Sequence, residues 1–158
     1  IEGETLNKNV FFMLGFVLLS GCATLTQENI GTKGLPLCQT NELCPLMTVS
    51  WNDQKKDNFN VKVSLDSLYH YYDIQKVVFS NDKKSYSFVP EAKTTQEVIF
   101  NLRHSKNSIV VPKNLMADLK SNAISINIHT DQGVISRFIY KDGVESSIYK
   151  QFTSIYVP

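Results

Sequence analysis

Glycine is scarce over most of this chain. Of the seven glycines, five lie at or before Gly34, and only Gly133 and Gly143 follow. Both late glycines sit in sequences typical of turns, TDQG and KDG. No glycine is left for a phosphate-binding loop, a dinucleotide-binding fingerprint or the G-x-S-x-G elbow of serine hydrolases. The sequence therefore lacks the signatures of the commonest nucleotide enzymes and serine hydrolases.

The chain also lacks an excess of charge of one sign, and it lacks histidines at a metal-binding spacing. Sixteen Lys and Arg against fifteen Asp and Glu leave a net charge of +1, so we predict no nucleic-acid partner. The three histidines, His70, His104 and His129, lie far apart in the sequence and show no local metal-binding spacing. We expect no metal and no cofactor. Glycoside hydrolysis needs only two carboxylates that face each other, so this activity stays an alternative. No feature of the sequence singles out such a pair, and we expect no enzymatic activity.

No apolar run is long enough to cross a bilayer, which takes about 20 residues. The longest one, Val10–Leu19, suits instead the hydrophobic region of a secretory signal. It ends in the sequence LSGC, in which small residues precede Cys22. This motif resembles the lipobox of bacterial lipoproteins. The resemblance implies a signal peptide over 1–21, a diacylglycerol on the Cys22 sulfur and an acyl chain such as palmitate on its amino group. We expect translation to start at Leu6, with 1–5 not translated; the alternative is a sequence truncated at its start.

The residue after the lipobox cysteine is Ala23. In the lipoprotein family an Asp at this position retains the protein in the inner membrane. The resemblance therefore implies an outer-membrane protein, held by its lipid and facing the periplasm. Three acyl chains exceed the two signals that stable anchoring requires.

Two further cysteines, Cys38 and Cys44, lie in the segment LCQTNELCP. An oxidising compartment favours a disulfide between them. A metal or redox pair is the alternative, although the spacing is not C-x-x-C. Residues 23–37 are small and polar, which is typical of a flexible tether. We predict a lipidated Cys, tether and disulfide loop over 22–44 and a globular domain over 45–158.

Period-two alternation of apolar residues dominates the domain and predicts strands. Two short helices are predicted from Leu115, Met116 and Leu119 and from Ile148, Phe152 and Ile155. The predicted strands are Met47–Trp51, Phe59–Leu65, Ile74–Ser80, Ser85–Val89, Val98–Leu102, Ser108–Val111, Ile124–Ile128 and Val134–Tyr140. The loop between the fifth and sixth of these strands is predicted over 103–107. The fold class is therefore α+β, mainly antiparallel and sandwich-like.

Aromatic side chains offer the main candidate for recognition. The predicted surface comprises Trp51, Tyr69, Tyr71 and Tyr72. Tyrosine is favoured at interfaces because it joins an apolar ring to a polar tip. The alternative is that these tyrosines pack back on the sheet. We expect a non-enzymatic domain that binds another protein of the cell envelope; a glycan-binding module or a hydrolase inhibitor is the alternative function.

The body of the chain is similar to small outer-membrane lipoproteins of Gram-negative bacteria that have no assigned activity. Residues 108–133 and the sequence SSIYKQF at 146–152 carry this resemblance. A weaker similarity, in size, tether and strand content, is to the β-sandwich lipoproteins that anchor secretion machines. Neither resemblance implies catalytic residues.

Overall fold

Two five-stranded antiparallel sheets face one another and enclose the core. A computed structural model describes residues 31–52 and 55–155. The strands are β1 (Thr32–Gly34), β2 (Leu46–Asn52), β3 (Lys55–Ser67), β4 (Ile74–Ser80), β5 (Ser85–Phe88), β6 (Thr95–Ile99), β7 (Leu102–Pro112), β8 (Ala123–Thr130), β9 (Gly133–Lys141) and β10 (Val144–Glu145), and the helices are α1 (Leu115–Asp118) and α2 (Ser147–Ser154). Sheet A has the order β1-β2-β3-β7-β6, and sheet B has the order β10-β9-β8-β4-β5. The predicted fold class is confirmed.

Alternating side chains build the core. In β3 the buried stripe runs from Phe59 through Val61 and Val63 to Leu65, while the residues between them face outward. In β8 the buried stripe consists of Ile124, Ile126 and Ile128. Burying an aliphatic or aromatic side chain of this size contributes about 1.5–3 kcal/mol. The inner faces of both sheets therefore supply the main driving force for folding.

Helix α2 packs against the core between the sheets. The Ser146 hydroxyl caps it by accepting a hydrogen bond from the Tyr149 N–H at 3.1 Å. The Phe152 ring contacts one phenylalanine of each sheet, Phe59 at 6.3 Å and Phe79 at 6.0 Å between ring centroids. Both predicted helices are present, and neither they nor any other helix within the described ranges is long and apolar enough to span a membrane.

One predicted hairpin is wrong, although the β4–β5 and β8–β9 hairpins are confirmed. Residues 103–107, predicted as a loop, lie inside β7, and the turn is at Phe100 and Asn101. Both turn residues have positive φ, 48° and 63°, which fits a two-residue hairpin. Two polar residues of this segment, Ser105 and Asn107, point into the core and are buried.

The predicted boundary between tether and domain is also corrected. Residues 32–44 belong to the fold, whereas the tether was predicted to reach residue 37 and the domain to start at 45. Strand β1 pairs with β2, and Gly34 packs against the backbone of Ile148. Leu35 exchanges hydrogen bonds with Ser147, whose hydroxyl lies 2.7 Å from the Leu35 nitrogen. The segment then crosses to sheet B, where the Leu37 N–H donates to the Phe138 carbonyl.

The predicted disulfide between Cys38 and Cys44 is present. Closing a loop of this length stabilises a protein by about 2 kcal/mol on the chain-entropy estimate. Arg137 fastens the loop to β9 by donating to the Leu43 carbonyl at 2.7 Å, and its Nε lies 3.4 Å from Glu42. The predicted signal peptide 1–21 and lipidation site Cys22 lie outside the described residues.

Candidate partner-binding surface

The structure divides the predicted recognition residues between two ends of sheet A. Trp51 lies one residue before the end of β2, next to Ser50, which pairs with Asn60. The three tyrosines lie in the loop 68–73, which follows the last residue of β3, Ser67. Asn60 and Ser67 are seven residues apart in β3, which corresponds to about 23 Å along the strand at 3.3 Å per residue. Trp51 and the tyrosines therefore do not form one surface.

The three tyrosines of the loop differ in their surroundings. Tyr72 is half-buried against the core, and its N–H donates to the Ser105 hydroxyl at 2.8 Å. Tyr71 is half-buried, with the Arg103 guanidinium carbon 6.0 Å from its ring centre. Tyr69 is 82% exposed. Among these tyrosines, Tyr69 offers the most ring surface to a partner, because Tyr71 and Tyr72 pack partly on the fold.

Sequence reasoning missed Phe100, the most exposed aromatic residue among those that the structure describes. It occupies the first position of the β6–β7 turn, where φ is 48°, and it is 95% exposed. Two-residue turns of this kind favour Asn, Asp or Gly because these residues tolerate positive φ. The neighbouring Asn101 was the only sequence signal for the turn.

The turn and the loop 68–73 lie at the same end of sheet A, because β7 is hydrogen-bonded to both β3 and β6. Ser67 pairs with Arg103, which pairs with Val98, and Arg103 donates a hydrogen bond to the Leu68 carbonyl. The exposed apolar side chains at this end, here called the aromatic tip, are Leu68, Tyr69, Val98, Ile99 and Phe100. Monomeric domains rarely concentrate exposed apolar residues without a functional reason.

A polar network supports the tip from below. The Asp73 N–H donates to Asp131 Oδ1 at 2.7 Å, and Thr94 donates to Asp73 Oδ1 at 2.8 Å. The buried Asn107 amide donates to the Ala92 carbonyl at 3.0 Å and to Thr94 Oγ1 at 3.2 Å. Because these bonds join loops of both sheets, they fix the framework beneath the tip.

Two carboxylates close to the tip, Asp131 and Glu97, have lowered pKa values. The hydrogen bond from the Asp73 N–H, followed by that from the Gln132 side chain, lowers the pKa of Asp131. The hydrogen bond and positive charge of Lys106 lower the pKa of Glu97. In both cases the hydrogen bond stabilises the ionised form of the carboxylate.

A second concave surface lies at the Trp51 end of the sheet. A cavity of about 740 Å³ opens on the outward face of sheet A, next to the loop that connects β5 to β6. Its lining includes Trp51, Asn60 and Lys62 on one side and Glu91 and Lys93 on the other. This volume is within the range of ligand pockets, roughly 300–1,000 Å³.

Comparison with known proteins identifies no relative. No family model matches the chain, and neither a curated protein nor a solved structure is significantly similar to it.

Proposed function

We propose that this chain is a lipid-anchored outer-membrane protein without enzymatic activity, whose β-sandwich binds another protein of the cell envelope through the aromatic tip. The anchor part of the proposal is supported by the lipobox sequence that ends at Cys22. The binding part is supported by one observation above all, the position of Phe100.

Phe100 occupies a position at which its side chain does not stabilise the fold. A non-glycine residue in the left-handed region costs about 1–2 kcal/mol, and this ring is 95% exposed, so burial does not offset the cost. Backbone outliers that the fold does not need are concentrated at functional sites. Aromatic side chains that become buried in a partner's pocket supply most of the energy of many interfaces. We infer that Phe100 makes such a contact.

The position of the chain's entry into the fold favours a protein partner over the anchoring membrane. β1 begins at Thr32, which pairs with Val49, and an added Cβ at Gly31 would lie 3.3 Å from Ser50. The chain thus enters sheet A toward the Trp51 end, away from the tip. The nine residues from Ala23 to Gly31 can span at most about 30 Å. An anchor at Cys22 therefore holds the Trp51 end nearer the membrane and leaves the tip free to meet a partner.

Replacing Phe100 by Asn should weaken partner association at least tenfold and leave the fold at least as stable. A tenfold loss corresponds to about 1.4 kcal/mol, within the range for truncated interface anchors. The stability follows because Asn adopts positive φ more readily than Phe. The partner would be recovered by co-purification of the full chain from detergent extracts, and its affinity measured for both forms.

A matched control is Val144→Asn, which removes a 56% exposed apolar side chain from β10, away from the tip. This variant should bind the partner as the wild type does. Equal binding by wild type and Phe100→Asn would refute the role of the tip. If vesicles of outer-membrane lipids bind to wild type but not to Phe100→Asn, the tip contacts lipid and not protein.

Replacing Cys22 by Ser should abolish labelling of the protein with fatty acid, because the thioether cannot form without the sulfur. The precursor should then accumulate at full length. Metabolic labelling and intact mass of the membrane fraction measure both effects, and Cys22→Ala should behave identically. Persistent fatty-acid labelling of either variant would contradict the lipid anchor.

A further inference from the structure

Half of strand β7 has no partner on one side. Strand β3 pairs with β7 from Arg103 to Pro112, whereas β6 pairs with it only from Leu102 to Lys106. Within 31–52 and 55–155, no strand pairs with residues 107–112 on the β6 side. The space beside these residues is here called the β7 lane. A vacant strand edge is a template for an additional strand.

The lane is vacant because the chain before β6 is drawn towards sheet B. Thr94 Oγ1 accepts a hydrogen bond from the Ile74 N–H at 2.8 Å, and Ile74 begins β4 of the other sheet. Asn107 Nδ2 holds the Ala92 carbonyl at 3.0 Å on the same side. Because of these bonds, the residues that precede β6 turn away from β7 and do not extend its pairing with β6. The vacancy is therefore fixed by buried polar contacts.

The backbone groups that face the lane follow from the register. Ile99 and Leu102 flank a two-residue turn and form a hydrogen-bonded pair, so every second residue of β7 after Leu102 turns its backbone to the β6 side. Ser108 and Val110 belong to this set. The Ser108 N–H is capped by Asn107 Oδ1 at 2.9 Å, which agrees with its pointing away from β3. The Val110 N–H and the carbonyls of both residues remain for a ligand strand.

The lane opens into the 740 Å³ cavity on sheet A. Three lysines line this cavity, Lys62, Lys93 and Lys106, against the single carboxylate of Glu91. Lys106 is paired with Glu97, whereas no ion pair to Lys62 or Lys93 forms in the part of the chain that the structure describes. The lining is thus positive and complements acidic side chains.

We propose that the β7 lane binds an extended acidic segment of a partner protein, which adds to sheet A as a strand beside residues 107–112. Main-chain hydrogen bonds to Ser108 and Val110 give the affinity, and carboxylates of the segment meet Lys62 and Lys93. The proposal rests on the proposed function only in that the ligand is a protein, since the lane is separate from the aromatic tip.

The probe for this site is a blocked hexapeptide of alternating Val and Glu, titrated into the isotope-labelled full chain in detergent micelles. Chemical shifts of the backbone amides should change at Lys93, Ser108 and Val110 and not at the aromatic tip. Val110→Pro should weaken probe binding at least tenfold, because it removes the donor that faces the lane but no hydrogen bond to β3. Val110→Thr keeps the N–H and should bind within twofold of wild type.

A second arm does not depend on the folding of a variant. The same peptide with an N-methylated backbone should bind wild type at least tenfold more weakly, and replacement of Glu by Lys should also weaken binding. Equal binding of the methylated peptide, shifts centred on the tip, or self-association through the lane overturns the proposal. Phe100→Asn should leave probe binding unchanged, so a failure of the tip and a failure of the lane are distinguishable.

Discussion

Gly34→Ala is expected to destabilise the protein by about 3 kcal/mol, near the upper end of the range for an overpacked site. A Cβ added at Gly34 would lie 2.5 Å from the backbone nitrogen of Ile148 and 2.6 Å from its Cα. Real Cβ atoms do not approach backbone atoms so closely. Either helix α2 shifts away from the core, or β1 separates from α2, and both responses break contacts that the wild type makes.

Urea unfolding monitored by circular dichroism measures this loss. The control is Gly143→Ala, where an added Cβ has no atom within 4 Å but φ is +85°. This variant carries only the backbone cost of positive φ, so it should lose about 1–2 kcal/mol. If Gly34→Ala were the milder of the two, the close contact between β1 and α2 would not exist in solution.

Phe152→Ala is expected to cost about 3–5 kcal/mol, the range for truncation of a buried aromatic side chain. The ring is 2% exposed and contacts Phe59 of sheet A and Phe79 of sheet B. Its removal leaves a cavity between the sheets that backbone hydrogen bonds prevent from collapsing. The loss should appear as a lower urea midpoint with an unchanged slope.

The chemically matched control is Phe100→Ala, which deletes the same atoms from a ring that is 95% exposed. Because no core contact is lost, the expected change is within about 0.5 kcal/mol. Similar destabilisation by both substitutions would contradict the placement of Phe100 at a solvent-exposed turn.

The apolar alternation was sufficient to predict most of sheet B. Strand β4 has the predicted bounds, Ile74–Ser80, and the β8 stripe of isoleucines is buried as its period implies. These strands could be predicted because their inner faces are apolar over most of their length. Their turns, at 81–84 and 131–132, contain residues that favour turns.

Strand β7 could not be predicted from its apolar alternation because its inner face is partly polar. Ser105 accepts a hydrogen bond from the Tyr72 N–H, and Asn107 donates to Ala92 in the β5–β6 connection. Hydrogen bonds replace apolar contacts at these positions, so the hydrophobic period disappears although the strand continues. Because a loop was predicted over 103–107, the turn at Phe100 was not predicted, and neither was the centre of the candidate site.

Of the four residues of the predicted aromatic surface, Tyr69 is largely exposed, whereas Trp51, Tyr71 and Tyr72 are partly buried. Which tyrosine of a loop faces solvent depends on the backbone partners of that loop, such as Ser105 for Tyr72. The packing of residues 32–44 on the fold could not be predicted from the sequence either, because it depends on the close approach of Gly34 to α2. Contacts between residues more than 100 positions apart leave no local pattern in a sequence.

The route of the N-terminal segment has a mechanical consequence. A pull on Gly31 would load the three-residue ladder between β1 and β2 and the contact of Gly34 with α2 before it reached the rest of the fold. Behind these lies the loop closed by Cys38 and Cys44, which Arg137 fastens to β9. The chain from 31 to 37 has an extended length of about 25 Å at 3.3–3.6 Å per residue. This segment would thus be the first part of the fold to separate, and a pull from the N-terminal side would reach the disulfide loop and sheet B only after β1 had left β2 and α2.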